Sequence, residues 1–325
     1  MSELILGLET SCDETAASVI TSSGTVLSNI ISSQAELQDR YGGVVPEVAS
    51  RRHLELVGAV VLESLHQAEA SLSDIDRMGV TQGPGLIGAL LVGLSYAKGL
   101  CWAKGIPLVL VDHLKGHIAS LFLNPNPLDP PFLCLLASGG HTLLGLVVDH
   151  KNFEVIGGTR DDAAGEAFDK GARLLGLRYP GGPELDQLAK EGDPELYKFP
   201  VARVDGLDFS FSGVKTSLLY TIREMSSSDL AVNRPHLAAS YQRAIVTALL
   251  QKLEKAIETT GMDKVAVVGG VAANSVLRAA LKKLGAHVAP LEFCTDNGAM
   301  IASAARYTPS VSSSEYLVAD AYPSR

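Results

Sequence analysis

An internal repeat is the sequence feature that most constrains the fold. Residues 4–28 follow the order apolar strand, small polar turn, second strand, Ser/Gly turn and third strand. Residues 132–156 repeat this order with the same spacing. In each copy the first turn, Glu9–Glu14 or Ser138–Thr142, comes directly after an apolar strand. Two duplicated lobes facing each other would bring both turns to one cleft, although any β-meander gives a similar pattern.

Each repeat is followed by the pattern of a strand, a glycine turn, an apolar helix and a second strand. The segments are 78–82, 83–85, 86–104 and 107–111 after the first repeat, and 264–268, 269–270, 273–284 and 287–291 after the second. This order predicts a βαβ unit in each half. The Ser- and Tyr-rich tail after Thr308 is expected to be loosely held.

Size and charge exclude several classes of protein. At 325 residues the chain exceeds the usual size of a single core, so we expect two lobes. Hydrophobic residues at 46% and charged residues at 19% indicate folded globular domains rather than disorder. The net charge of −9 gives no general attraction for nucleic acid. A polyanionic partner would therefore need a local basic patch or a helper subunit.

Cysteine usage and the N-terminus favour the cytoplasm. The cysteines are scattered without a CxxC pair: Cys12, Cys101, Cys134 and Cys294. Glu3 stands where a secretory signal peptide has basic residues. Residues 78–97 are uncharged over a length that could span a bilayer, but Gln82, Pro84 and four glycines interrupt the first half. We expect a buried strand, turn and helix there, and no membrane association.

Two histidines one helical turn apart suggest a metal site. His113 and His117 would share one helix face, which is the spacing that a metal ion needs from a single helix. Asp296, after an apolar strand, is the best third ligand, with a helix N-cap as its alternative role. Leu114 stands where an HExxH zinc peptidase needs its glutamate, which disfavours a peptidase. Two histidines and a carboxylate suit Fe²⁺, with Zn²⁺ a close alternative.

Two glycine turns follow apolar strands. Glycines in Ser138–Thr142 would let backbone N–H groups approach a phosphate, or form an ordinary tight turn. The small residues of Gly269–Asn274 leave room for a purine, whose edge Asn274 could contact, or serve close helix packing. Neither turn has the GxGxxG spacing of dinucleotide-binding folds or the GxxxxGK[ST] spacing of P-loops.

Acidic residues mark a further candidate region. Asp161 and Asp162 are consistent with the favourable N-terminal end of a helix dipole. Asp169 lies beyond the first turn of that helix, so a ligand hydroxyl or a metal-bound water explains it better. Gly182, in a rigid Pro/Gly turn, and Asp186 after it could meet a sugar or phosphate.

The motifs together resemble the bacterial TsaD family of tRNA adenosine threonylcarbamoyltransferases, over nearly the whole chain. The segments that carry the resemblance are 9–15, 83–85, 113–117, 138–142, 161–170, 179–183, 208–213, 269–274 and 295–298. The resemblance implies the α/β ASKHA fold of actin, sugar kinases and Hsp70, with two duplicated lobes, each a mixed sheet flanked by helices, and the active site in the cleft. We expect an N-terminal lobe over 1–112, joined by a C-terminal helix over about 297–325, and a C-terminal lobe over 113–296.

The resemblance also implies the reaction and its residues. The threonylcarbamoyl group of threonylcarbamoyl-AMP would pass to N6 of the adenosine 3′ of the anticodon in tRNAs that read ANN codons. One divalent metal per subunit, with Fe²⁺ favoured over Zn²⁺ or Mg²⁺, would be bound by His113, His117 and Asp296. Catalytic roles fall to Glu9 and Asp13. The adenylate-binding residues would be Leu136, Ala137, Ser138, Gly139, Gly140, Asp169, Gly182, Asp186 and Asn274.

Partner proteins are implied by the same resemblance. A smaller TsaB-like paralogue and a TsaE-like ATPase would accompany the chain, and would supply the basic surface for tRNA that its own charge does not provide. Lys115 departs from the family, which often has glutamate at this position, so the local charge between the two histidines differs.

Two other functions fit the residues. A small-molecule phosphotransferase of the same fold would bind ATP at the glycine turns and show ATP turnover stimulated by its substrate. A nucleotide-binding scaffold of a tRNA-modifying complex would keep its activity after loss of the metal ligands.

Overall fold

The computed structural model describes residues 2–323, which form two compact units. The first unit contains the described residues up to Asp129 and those from Pro290 onward, and the second contains Pro130–Ala289. The lobe boundaries expected from the sequence stay a prediction.

The first unit is built on one five-stranded sheet. Its elements are β1 (Leu4–Glu9), β2 (Glu14–Thr21), β3 (Val26–Ser33), α1 (Ala35–Asp39), α2 (Pro46–Gln67), β4 (Arg77–Gly83), α3 (Ile87–Lys104), β5 (Leu108–Asp112), α4 (His113–Ala119), α10 (Gly298–Ala305) and α11 (Ser313–Val318). The strand order is β3-β2-β1-β4-β5, in which β1–β3 form an antiparallel meander and β1, β4 and β5 run parallel.

Helix α10 is buried along its whole length against this sheet, and small residues on both surfaces let the two backbones approach closely. A Cβ at Gly7 would lie 2.3 Å from the carbonyl oxygen of Gly298 and 2.5 Å from the backbone nitrogen of Ala302. This close approach fixes the start of α10, and hence the residues just before it, relative to the end of β1.

The second unit repeats the plan of the first. Its elements are β6 (Phe132–Ala137), β7 (Thr142–Val147), β8 (Phe153–Gly158), α5 (Ala164–Leu174), α6 (Gly181–Ala189), α7 (Ser212–Arg223), α8 (Ser227–Thr260), β9 (Val265–Val268), α9 (Ser275–Lys283) and β10 (His287–Val288). The strand order β10-β9-β6-β7-β8 is the order of the first sheet read from its other edge. Strands β6–β8 form an antiparallel meander, and β6, β9 and β10 run parallel.

The predicted duplication and both βαβ units are therefore confirmed. A plain meander does not explain the pattern, because the first strand of each meander pairs in parallel with a strand of the following βαβ unit. The uncharged stretch 78–97 is a strand, turn and helix, as expected. Across residues 2–323, every helix is too short or too polar to cross a bilayer.

The expectation of a loosely held tail is wrong. Ser312 caps α11 by accepting a hydrogen bond from the backbone of Glu315. Beyond this helix, the hydroxyl of Tyr322 donates to Asp112 Oδ2 at 2.7 Å, and the side chain of Gln82 donates to the carbonyl of Asp320 at 2.9 Å. These contacts, which the Ser-rich composition does not reveal, hold the segment after α11 in place.

Candidate functional site

Helix α4 places the two predicted histidines on one face. Asp112 ends β5 and caps α4, since its Oδ1 accepts from the backbone nitrogens of Leu114 at 2.9 Å and Lys115 at 3.1 Å. The rings of His113 and His117 lie with their centroids 4.7 Å apart. The segment is helical, as the spacing predicted, so both imidazoles lie on one face of α4.

Gly116 between them is explained by packing. A Cβ at this position would lie 2.8 Å from Cδ1 of Ile301 on α10. The glycine lowers the helix propensity of α4, but it lets α4 and α10 approach closely. The helix that carries the two histidines and the helix that follows Asp296 are thereby held together.

Asp296 lies beside both histidines. Its Oδ1 is 3.2 Å from Nε2 of His117 and 3.6 Å from Nε2 of His113. One ligand atom from each of the three residues lies within 4.8 Å of the others. The N-cap of α10 is Asn297, whose Oδ1 accepts from the backbone nitrogen of Met300 at 2.9 Å. The alternative role of Asp296 as the N-cap is therefore wrong, and the predicted trio comes together in space.

The surroundings of His117 fit a metal ion. Its side chain is 1% exposed, and within residues 2–323 neither ring nitrogen has a partner with hydrogen-bond geometry. A buried polar nitrogen left in this way costs about 1–3 kcal/mol, which a metal bond would offset. Two imidazoles and one carboxylate are a donor set that suits Fe²⁺ or Zn²⁺ better than Mg²⁺, which prefers oxygen.

His113 lies between two carboxylates. Its Nδ1 is 3.0 Å from Oε2 of Glu9 and 3.2 Å from Oγ of Ser11. Burial disfavours the protonated ring, but the charges of Asp296 and Glu9 outweigh burial and raise the pKa of His113 to about 9. The surroundings of His113 are therefore electrostatically suited to a positive charge, carried by a proton or by a metal.

The turn between β1 and β2 adds further negative charge to the first unit. Asp13 is 5% exposed. Burial, followed by the charges of Asp13 and Asp296, holds the pKa of Glu14 well above its usual value. The pKa of the Cys12 thiol is raised by burial and then by Asp13, so this thiol is a poor nucleophile.

The two glycine turns of the second unit begin side by side. Leu136 of β6 pairs with Val268 of β9, so the carboxyl ends of these parallel strands meet at one edge. Gly269 has φ +92°, and a Cβ there would lie 2.4 Å from the carbonyl oxygen of Ala137. Only glycine fits this crossing. The adenylate residues predicted from Leu136 to Gly140 therefore lie next to the Gly269 turn.

Several glycines of these turns face open space. An added Cβ at Gly139, Gly140, Gly182 or Gly270 would meet no atom within 4 Å. Gly165 is different, because its Cβ would lie 2.5 Å from the carbonyl oxygen of Ser138. The start of α5 thus packs on the first turn, while Gly139 and Gly140 of the same turn are exposed.

Asp169 has a structural contact that the sequence did not indicate. Its Oδ1 accepts hydrogen bonds from the backbone nitrogens of Gly181 at 2.8 Å and Gly182 at 3.2 Å, at the start of α6. The carboxylate thereby ties α5 to the turn that contains Gly182.

Asn274 and Asp186 are in direct contact. The amide of Asn274 donates to Oδ1 of Asp186 at 3.2 Å and to Oε1 of Gln242 at 2.8 Å, while its own Oδ1 caps α9 at the backbone of Leu277. Asp186 also accepts from the hydroxyl of Ser275 at 2.7 Å. Asn274 thus holds Asp186 and α9 in place, and no sequence pattern indicated the contact with Gln242 on the distant helix α8.

The roles of the first acidic pair differ from expectation. Asp161 accepts from the backbone nitrogens of Phe211 at 2.7 Å and Ser212 at 3.3 Å, at the start of α7. Asp162 forms ion pairs with Lys170 at 2.9 Å and Lys215 at 3.0 Å. Both carboxylates therefore have specific partners that the helix-dipole interpretation did not predict.

Fold and site define a class. A duplicated α/β unit of this strand order, with glycine turns at the strand ends, has the ASKHA architecture. Among solved structures, the chain is similar to HypF of T. kodakarensis, with a TM-score of 0.63 at 18% identity over 94% of this chain and 48% of that one. This likeness concerns the fold.

Sequence comparisons identify the family within that class. The TsaD profile, described as tRNA N6-adenosine threonylcarbamoyltransferase, matches residues 25–303. Proteins of the same description share 53% identity in Clostridium botulinum strain 657 (93% of this chain, 92% of that protein) and 51% in Clostridium perfringens strain SM101 (94% and 92%). The chain belongs to the TsaD family of tRNA N6-adenosine threonylcarbamoyltransferases.

Proposed function

We propose that this chain transfers the threonylcarbamoyl group of threonylcarbamoyl-AMP to N6 of the adenosine 3′ of the anticodon in tRNAs that read ANN codons. Membership of the TsaD family supports the reaction. The observation in the structure that carries the proposal is the buried trio His113, His117 and Asp296, whose donor atoms converge without a satisfied hydrogen-bond network at His117.

The trio is proposed to bind one divalent metal ion. Fe²⁺ is favoured and Zn²⁺ is the close alternative, while Mg²⁺ fits the nitrogen donors least. When bound, such an ion acts as a Lewis acid that polarises a carbonyl oxygen without transferring protons. Lys115 is exposed on the same helix and leaves the two ligand side chains in place.

The second unit is proposed to bind the adenylate. Gly139 and Gly140, two exposed glycines with open space around them, can bring their backbone N–H groups to the phosphate, and the α6 turn at Gly182, held by Asp169, suits a further polar group. Asp186, fixed by Asn274, can accept hydrogen bonds from ribose hydroxyls. Leu136 and Ala137 form the buried floor at the end of β6.

The transfer itself needs mainly positioning. The substrate is a mixed anhydride, so the N6 amine attacks the carbamoyl carbon, the bond to the phosphate oxygen breaks, AMP leaves, and the amine loses one proton. Asp13, in the β1–β2 turn, is the proposed acceptor of that proton. Glu9 receives a different role below.

A TsaB-like paralogue is the proposed partner of the first unit. Leu54 and Leu62 are 70% and 64% exposed on one face of α2, and Trp102 is 61% exposed on the neighbouring α3. Large apolar side chains exposed on two helices that pack together favour a protein interface. The chain's charge of −9 makes a partner that contributes basic residues for tRNA the fitting occupant.

The partner surface is tested by binding. Leu62→Asp should abolish the complex with the paralogue while metal binding stays normal. Val232→Asp, at a 73% exposed position on α8, is the matched control and should bind as the wild type does. Equal loss, or no loss, in both variants would contradict this surface.

A TsaE-like ATPase and the cytoplasm complete the proposal. All four cysteines are thiols rather than disulfides, which fits a reducing compartment where tRNA is processed. Membership of the TsaD family supports the ATPase as a partner.

Nucleoside analysis tests the reaction. Unmodified tRNA is incubated with this protein, both partners, an adenylate-generating enzyme, threonine, bicarbonate and ATP, then digested and examined by mass spectrometry. Threonylcarbamoyladenosine should form with the wild type and with His66→Ala, an exposed control on α2, but not with His113→Ala. Absence of the product, despite an intact complex and a confirmed adenylate, would contradict the proposal and favour the phosphotransferase.

A further inference from the structure

A buried carboxylate lies directly behind the metal-site histidine. Glu9, the last residue of β1, is 0% exposed. Its Oε2 accepts from the hydroxyl of Thr81 at 2.6 Å, and its Oε1 accepts from the backbone nitrogen of Ser11. The same Oε2 lies 3.0 Å from Nδ1 of His113. Every neighbour of this carboxylate is thus a donor or can become one.

These contacts determine which nitrogen of His113 carries the proton in its neutral form. An ionised carboxylate only accepts hydrogen bonds, so Nδ1 must be the donor at the 3.0 Å contact. Nε2 then keeps its lone pair, and it is the atom that lies 3.6 Å from Oδ1 of Asp296. The ring is both fixed in orientation and set in the tautomer that a metal requires.

His117 provides an internal comparison. Within the described part of the chain its ring nitrogens form no hydrogen bond, so no neighbour fixes its tautomer. Its ring is 1% exposed, and Oδ1 of Asp296 lies 3.2 Å from Nε2 without hydrogen-bond geometry. Of the two histidines on α4, His113 is therefore the one whose orientation depends on a specific polar neighbour.

We propose that Glu9 is a positioning residue, which orients His113 and sets its tautomer for metal binding. The inference rests on the proposed metal centre. A carboxylate that accepts from the second nitrogen of a ligating histidine raises the ligand's basicity and fixes its ring, and losing such a partner costs about 10–100-fold in metal affinity. Full burial under Thr81, Ser11 and His113 leaves Glu9 no surface for contact with substrate.

Glu9→Gln is the decisive variant because it keeps the shape and removes the charge. The backbone N–H of Ser11 can only donate, so the amide oxygen of the glutamine must face it. The amide NH₂ then faces His113, which turns the ring to the tautomer with the proton on Nε2. That proton blocks the ligand atom, so the variant should bind metal weakly while folding normally.

The experiment measures Zn²⁺ affinity by chelator competition and the absorption spectrum of the Co²⁺-loaded full chain, for wild type, Glu9→Gln and Thr81→Val. Glu9→Gln should bind Zn²⁺ about 10–100-fold more weakly, with an altered Co²⁺ spectrum. Thr81→Val keeps the carboxylate but loses one donor to it, so a smaller, several-fold loss is expected. Melting of the metal-free proteins checks that each variant is folded.

The outcomes separate this inference from the proposed function. Wild-type Zn²⁺ affinity and an unchanged Co²⁺ spectrum in Glu9→Gln, with transfer activity lost, would make Glu9 a catalytic residue and overturn the inference alone. No Zn²⁺ binding by the wild type would overturn the metal centre itself. If Glu9→Gln does not fold, unchanged affinity in Thr81→Val overturns the inference.

Discussion

The first turns of the two meanders have the same place in the fold but opposite chemistry. In the first unit, the turn between β1 and β2 is flanked by Glu9 and Asp13, both buried and both acidic. In the second unit, the turn between β6 and β7 carries Gly139 and Gly140, both exposed, and no carboxylate. The first suits a cation and the second an anion, so the two copies share a backbone plan but differ in the kind of ligand that their side chains suit.

The largest expected effect is at the cation side of this comparison. His117→Ala removes one of three ligands, so metal affinity should fall beyond the about 10–100-fold that loss of a neighbouring positioning group costs. Binding of AMP, assigned to the second unit, should stay within twofold of wild type. Metal content and calorimetric titration with AMP check both, with His66→Ala as control. If AMP affinity fell together with metal affinity, the proposed assignment of the metal to the first unit and of the nucleotide to the second would be contradicted.

The anion side is tested next by its glycines. Gly269→Ala places a side chain at φ +92° and 2.4 Å from a carbonyl oxygen, so it should lower the unfolding free energy by about 1–3 kcal/mol or more. The neighbouring Gly270→Ala meets open space and should change stability by less than about 0.5 kcal/mol. Thermal melting of both variants decides. Equal destabilisation by the two substitutions would show that Gly270 does not face open space.

A smaller effect is expected at the contact between Asn274 and Asp186. Asn274→Ala removes the cap of α9 and two hydrogen bonds, which should cost about 1–2 kcal/mol. Asn274→Asp keeps the cap acceptor but places a second carboxylate beside Asp186. Both should weaken AMP binding while Zn²⁺ affinity is unchanged. If Asn274→Asp binds AMP as tightly as wild type, Asp186 is not a ribose contact.

The smallest effect is a pH dependence in the second unit. Burial opposes ionisation of Asp161, but hydrogen bonds from Ser210 and from the start of α7 outweigh it and hold its pKa below the usual value. Because its folded-state pKa is lowered, ionised Asp161 stabilises the folded state at pH values above the unfolded pKa of about 3.9. This stabilisation is lost as the pH falls through the folded-state pKa. Wild type should therefore melt a few degrees above Asp161→Asn at pH 6.

That difference in melting temperature should shrink as the pH falls below the unfolded pKa and through the lowered pKa of folded Asp161. A difference that persists at low pH would mean that Asp161 acts through packing rather than through its charge.

Much of this arrangement could be predicted from the sequence because it depends on local patterns. The strand and turn order of the repeat gave both sheets, and the i, i+4 spacing of His113 and His117 gave the shared helix face. Asp296 was predicted as a ligand because it follows an apolar segment. The N-cap role that was its alternative belongs to its neighbour Asn297. These inferences need only periodicity and capping rules.

The rest depends on tertiary contacts that no local pattern encodes. Thr81 is 72 residues from Glu9, and Gln242 is 32 residues from Asn274, yet each pair shares a hydrogen bond. The tail was expected to be loosely held because Ser-rich segments often are, but Tyr322 donates a hydrogen bond to Asp112, which lies 210 residues earlier in the chain. Asp161 accepts a hydrogen bond from the start of a helix about fifty residues later in the chain, and the residues next to Asp161 in sequence do not indicate this contact.

The central claim is that the metal centre of the first unit is needed for transfer while the second unit binds the nucleotide. The most direct measurement is the single-turnover rate of transfer from preformed threonylcarbamoyl-AMP to tRNA by the reconstituted complex, compared for wild type and His117→Ala with AMP affinity measured in parallel. We predict at least a hundredfold slower transfer by His117→Ala with unchanged AMP affinity. Wild-type transfer by a variant shown to hold no metal would contradict the account.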